Sequence, residues 1–125
     1  MEKINTSYSL NSKGHYSPAV VHDNIVYVSG QLPIDYINGQ TMPSGGIEEQ
    51  TRQALQNLAY VLEQAGSSKE KVLKTTVYIP DIEYWPAVNN IYSEFFGSHK
   101  PARTIVPTTT LHFGGLIEIE AIAAK

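Results

Sequence analysis

Two short stretches near the carboxyl end hold side chains suited to chemistry on a small anion. Arg103 sits inside Pro101-Ala102-Arg103-Thr104-Ile105-Val106, where most of its neighbours are apolar or β-branched. A guanidinium in such company needs an anionic partner, and its planar fork matches a carboxylate. That partner is either internal, Glu118 or Glu120 on the last strand, or the carboxylate of a bound substrate. Glu118 and Glu120 stand two residues apart in Ile117-Glu118-Ile119-Glu120-Ala121-Ile122-Ala123. On a strand they share one face at a spacing of about 6.6 Å. Like-charge repulsion and burial could then raise one pKa and leave that residue as a proton acceptor. The other reading has both solvated, or paired at a seam between subunits.

The remaining polar residues offer less. The other arginine, Arg52, falls on the side of a helix opposite the leucines, with Gln56 and Glu63, and reads as a solvated charge. His15, His22, His99 and His112 lie in turns and loops without the spacing of a metal site, so no metal is expected. His15, in Gly14-His15-Tyr16-Ser17, reads as a surface residue that could approach a pocket. Gly45-Gly46 and Gly66-Ser67-Ser68-Lys69 lack the spacing of a phosphate loop, and no serine sits in a nucleophile elbow. With no cysteine in the chain, disulfides, thiolate metal sites and cysteine nucleophiles are excluded together.

These residues are carried on a recognisable series of elements. Ala19-Val20-Val21 and Ile25-Val26-Tyr27-Val28-Ser29 flank the polar turn His22-Asp23-Asn24 and predict a hairpin. Residues 30–46 are rich in glycine, proline and other turn formers, and predict a loop around a short strand at most. Ile47, Thr51, Ala54, Leu55, Leu58, Leu62 and Ala65 recur at three- and four-residue steps up to Gly66, the mark of an amphipathic helix. Val72–Ile79 is β-branched and stops at Pro80. Trp85, Val88, Ile91, Tyr92, Phe95 and Phe96 give a second helix its apolar face, which Gly97 closes. Ala102–Val106 and Leu116–Ala123 supply the last two strands.

Strand, strand, helix, strand, helix, strand, strand suits an α+β sandwich, one sheet with both helices on one face. The opposite face then has no cover. On the last strand it would carry Leu116, Glu118, Glu120 and Ile122, a mixture that suggests burial against another subunit in a closed oligomer.

At 125 residues the chain is one domain, 1–125, large enough to bury about two-thirds of its extended surface. A net charge of −3 argues against nucleic acid as a partner. The start, Met1-Glu2-Lys3-Ile4-Asn5, is too polar for an export signal and no apolar run is long enough to span a bilayer, so a cytoplasmic protein without a membrane partner is expected.

Taken together, the residues resemble the Rid (YjgF-type) family of reactive-intermediate imine deaminases. The resemblance is carried by Gly14-His15-Tyr16-Ser17, by Tyr27-Val28-Ser29-Gly30-Gln31-Leu32-Pro33, and by Lys74-Thr75-Thr76-Val77-Tyr78-Ile79 with Asp81. Asn89, Tyr92, Phe95 and Phe96 continue it, and Pro101-Ala102-Arg103-Thr104 with Ile117–Ala123 carry it most specifically. It implies a chorismate-mutase-like fold assembled as a homotrimeric barrel, with helices outside and sites in the subunit clefts. It further implies that Arg103 grips a substrate carboxylate and Glu118 handles the attacking water. Tyr16, Ser29, Gly30, Trp85, Asn89 and Ile105 would line the cleft. The activity implied is cofactor-free hydrolysis of 2-imino acids to 2-oxo acids and ammonia, with a small imino or oxo acid as ligand. A non-catalytic module sensing short carboxylic acids is the alternative, and a ribonuclease or translation inhibitor comes last. The chain departs from the family pattern at His15, often proline there, at Pro18, often glutamine, and at Ile105, often cysteine. Residues 107–115 also replace a commoner charged turn.

Overall fold

The computed structural model describes residues 1–8 and 13–125. Six strands form one mixed sheet in the order β1-β2-β3-β6-β4-β5: β1 Glu2–Ile4, β2 Ala19–His22, β3 Ile25–Gln31, β4 Val72–Ile79, β5 Ala102–Pro107 and β6 Glu118–Ala124. The helices are α1 Gly46–Gln64 and α2 Trp85–Phe96. Every neighbouring pair is antiparallel except β4 and β5, which are parallel and joined through α2, the crossover that parallel strands require.

Local chemistry accounts for the elements. Asp23 and Asn24 take φ of 51° and 62°, the left-handed pair that a tight two-residue hairpin needs, and His22 pairs with Ile25 across it. Helix α1 buries Thr51, Ala54, Leu55, Leu58, Val61 and Leu62 on its apolar stripe, while Glu48 and Glu49 stand in its first turn, where the helix dipole favours acid. It stops at Gly66, whose φ of 79° few other residues tolerate. There the Gly66 N–H donates to Glu63 O (3.0 Å) and the Ser67 N–H to Leu62 O (2.8 Å), satisfying two terminal carbonyls.

The helices cover one face of the sheet. Val26, Val28, Val77, Ile79, Ile119, Ala121 and Ala123 alternate onto it and join Leu55, Leu58, Leu62, Val88 and Ile91 in the core. The opposite face has no layer over it: Tyr27 is 47% exposed and Leu73, where the β4–β6 register shifts, is 49% exposed.

Several boundaries differ from expectation. Strand β1 was not foreseen in the polar start; Glu2–Ile4 pairs with Val21–Ala19 and buries only Ile4. Strand β3 continues past Ser29 to Gln31, because a register shift between Val28 and Gln31 accommodates Gly30. The last strand begins at Glu118 rather than Leu116, since the Leu116 N–H donates to the buried Gln50 side chain of α1 (2.8 Å) instead of to a strand.

Candidate functional site

The guanidinium of Arg103 is fixed by helix α2. Strand β5 pairs with β4 so that Arg103 stands beside Thr75, on the helix-covered face. Its Nη1 donates to Asn89 Oδ1 (3.0 Å), and its plane lies over the rings of Tyr92 (4.7 Å) and Trp85 (5.6 Å). Tyr92 is itself locked by a hydrogen bond between its hydroxyl and Thr75 Oγ1 (2.7 Å). Ile105 follows two residues along β5 on the same face, packed against the core. Among the described residues no carboxylate lies within ion-pair distance of Arg103. The internal salt bridge to Glu118 or Glu120 is therefore not formed, and topology explains why: β4 stands between β5 and β6.

Glu118 belongs to a second cluster. It pairs with Tyr78 on the uncovered face, and its carboxylate lies against Gly30, so close that any Cβ at that position would collide with Glu118 Oε1. Glycine at this position lets the Glu118 carboxylate lie there; a larger residue would make that side chain swing aside. Burial pushes the Glu118 carboxyl above the ordinary carboxylate range; Glu120 adds to the effect, and His112 opposes it. Glu120 is more exposed and accepts a hydrogen bond from the Tyr78 hydroxyl (2.7 Å), which raises the tyrosine's own pKa. Glu118 thus holds a proton more readily than an ordinary carboxylate does.

Ser29 supports this cluster through backbone. Its Oγ donates to Ser17 O (2.7 Å) and its N–H to Pro18 O (2.9 Å), tying the loop that carries Tyr16 to the end of β3. Tyr16 is 63% exposed. His15 is also exposed and does not line the neighbouring cleft.

That cleft, of about 400 Å³, opens beside Gly14, Tyr16 and Gly30. Sequence reading did not find it, because its walls come from distant segments: Tyr8, Tyr36, Tyr60 of α1, and the turn at His112 and Phe113. Gln50, which anchors the chain as it enters β6, was missed for the same reason.

The predicted site residues therefore fall into two groups. Arg103, Asn89, Trp85 and Ile105 gather on the helix side at the edge strand; Glu118, Gly30, Ser29 and Tyr16 gather around the ends of β3 and β6. By strand spacing and register, the Arg103 and Glu118 α-carbons are about 14 Å apart, with side chains on opposite faces of the sheet. No single carboxylic acid a few atoms long can touch both within one chain. Among the described residues no group of three His, Asp or Glu side chains could hold a metal ion.

Comparison with known proteins gives a consistent picture. The family model described as Endoribonuclease L-PSP matches residues 6–125. A 2-iminobutanoate/2-iminopropanoate deaminase of Homo sapiens is 42% identical, covering 98% of this chain and 88% of its own. A RutC family protein of Pyrococcus horikoshii is 43% identical over 99% of this chain and 98% of its own. Among solved structures, the YjgF gene product of E. coli superposes with a TM-score of 0.91 at 33% identity, covering 100% of this chain and 99% of that one.

Proposed function

Because the chain belongs to the endoribonuclease L-PSP family, the YjgF/Rid family, we propose that it hydrolyses 2-imino acids to 2-oxo acids and ammonium. The observation that carries this reading is the state of Arg103: a guanidinium aimed by Asn89 and two rings and lacking an acid. A substrate carboxylate supplies the missing anion, bidentate on the fork.

The site is made by two copies. Arg103 and its platform come from one subunit; Glu118, Gly30, Ser29 and Tyr16 come from the next, in a homotrimer whose uncovered sheet faces close on each other as a barrel. The half-exposed Tyr27 and Leu73 on that face support this assembly. With the carboxylate held, C2 of the iminium faces Glu118. The carboxylate takes a proton from water as the water oxygen bonds to C2. The proton passes to the amino nitrogen of the tetrahedral adduct, the C–N bond breaks, and ammonia leaves while the second hydroxyl proton is released to solvent to give the ketone. A raised carboxyl pKa suits both the uptake and the return of the proton. No cofactor takes part, and the reaction belongs in the cytoplasm, where enamines released by dehydratases tautomerise to such imines.

The test is ammonia release from freshly generated 2-iminopropanoate or 2-iminobutanoate, against buffer alone. Acceleration that falls at least tenfold in Arg103→Lys supports the assignment; a wild-type rate equal to buffer refutes it and favours a sensor of short carboxylic acids. The family's endoribonuclease label finds little support in an acidic chain of net charge −3.

A further inference from the structure

The cleft beside Gly30 has walls of rings. Tyr8 and Tyr36 stack with centroids 4.8 Å apart and planes 8° from parallel, and Tyr60 of α1 meets Tyr8 at 5.3 Å. The Tyr36 hydroxyl is pushed up in pKa by burial, which fits a poorly hydrated wall. At the mouth stands Phe113, 67% exposed, on left-handed backbone with φ 58° and ψ 19°, its ring against that of His112 (centroids 3.8 Å). A bulky aromatic residue on such backbone is strained, and water gives no return for holding the ring there. A ligand group that covers it would.

We propose that this cleft receives the side chain of the imino acid, and that the preferred substrates carry an aromatic or large aliphatic group on C3. The inference rests on the imine-hydrolysis reading and deepens it. Continuity supplies the link: Gly30 and Tyr16 line the cleft, and Gly30 is also the residue on which the Glu118 carboxylate lies. A substrate whose C2 faces Glu118 therefore stands beside Gly30, at the wall of the ring-lined space. A methyl group displaces about one water, roughly 30 Å³, and leaves a 400 Å³ cleft wet. A benzyl or isobutyl group fills far more of it and brings apolar surface to the rings and to Leu32, Ile34 and Val61, between which Lys13, Gln31, Gln40 and Asn57 supply the polar part of the wall.

The experiment compares kcat/KM for the imines generated from phenylalanine, leucine and alanine, with the wild type and with Phe113→Ala, whose exposed side chain is dispensable to the core. The phenylalanine imine is expected to be hydrolysed at least tenfold more efficiently than the alanine imine, with leucine between them. Phe113→Ala should cut the phenylalanine-to-alanine ratio at least fivefold, whereas a merely structural role would lower both rates alike. A wild-type ratio at or below one, or a ratio that Phe113→Ala leaves unmoved, overturns the proposal. If no imine is hydrolysed above buffer, the reaction reading fails and calorimetry judges the cleft alone. Binding of 2-oxo-3-phenylpropanoate at least tenfold tighter than 2-oxopropanoate then upholds it, and equal affinity rejects it.

Discussion

The two clusters that hold the candidate residues are built on different principles. Around Arg103 everything is orientation: an amide, two rings and a buried threonine–tyrosine hydrogen bond fix where a permanently charged fork lies. Around Glu118 the arrangement is tuning: burial, a neighbouring carboxylate, an opposing histidine and a glycine that leaves just enough room decide how readily one oxygen binds a proton. A charged fork needs only to be aimed, while a proton acceptor must be adjusted. The edge strand suits the first task because α2 packs across it, and the junction of β3 with β6 suits the second because the register shift there admits glycine.

Substitutions can break this contrast. Glu118→Gln keeps shape but accepts no proton at neutral pH, so turnover should fall about 100-fold or more while 2-oxobutanoate still binds through Arg103. Calorimetry beside the rate assay checks both halves of that statement. Mixing Glu118→Gln with Arg103→Lys subunits and reassembling them should restore about a quarter of wild-type activity, the statistical share of seams joining two intact halves in a cyclic trimer. A mixture as inactive as its parents would place both residues in one subunit's site.

Arg103→Lys replaces a planar fork by a point charge and should lower kcat/KM at least tenfold, about 1.4 kcal/mol of transition-state stabilisation. Asn89→Ala removes one neutral partner from the same guanidinium and should cost about fivefold, roughly 1 kcal/mol, chiefly in KM, because aim rather than charge is lost. If the two variants are equally damaged, the rings contribute little to orientation.

The smallest effect concerns pH. The Glu118 carboxyl lies above its ordinary range, so its ionisation disfavours the folded chain. The resulting stability advantage is full at acidic pH and is lost as pH rises through the raised pKa. Activity should have the opposite sense, rising with pH as Glu118 ionises. Glu120→Gln removes a repelling charge and should move the acid limb of the rate profile to lower pH; His112→Ala should move it higher. A limb that neither substitution displaces belongs to a group other than Glu118.

Much of this was legible in the sequence. The three- and four-residue recurrence from Ile47 to Ala65, the Asp23-Asn24 turn and the alternation along Leu116–Ala123 each encode a local conformation, and each emerged as an element, the last beginning two residues late. The strand order was not legible. The apolar setting of Arg103 called for an anion and left Glu118 or Glu120 open beside a substrate carboxylate, but parallel pairing with β4 carried it to the far edge and onto the other face. The cleft was invisible for a related reason: Tyr8, Tyr36, Tyr60 and Phe113 share no periodicity, and only tertiary structure brings them together. Nothing local marks Gln50 either, since its side chain acts on the Leu116 N–H, 66 residues away in the chain.

The placement of Arg103 and Glu118 on opposite faces of one sheet also bears on how catalysis should scale with abundance. If the reacting centre is assembled from two chains, as proposed, specific activity becomes a property of concentration as well as of sequence. It should stay constant while the oligomer holds, then decline faster than linearly on dilution below the concentration at which the subunits dissociate. At scarce expression the protein would fall silent rather than merely become slow.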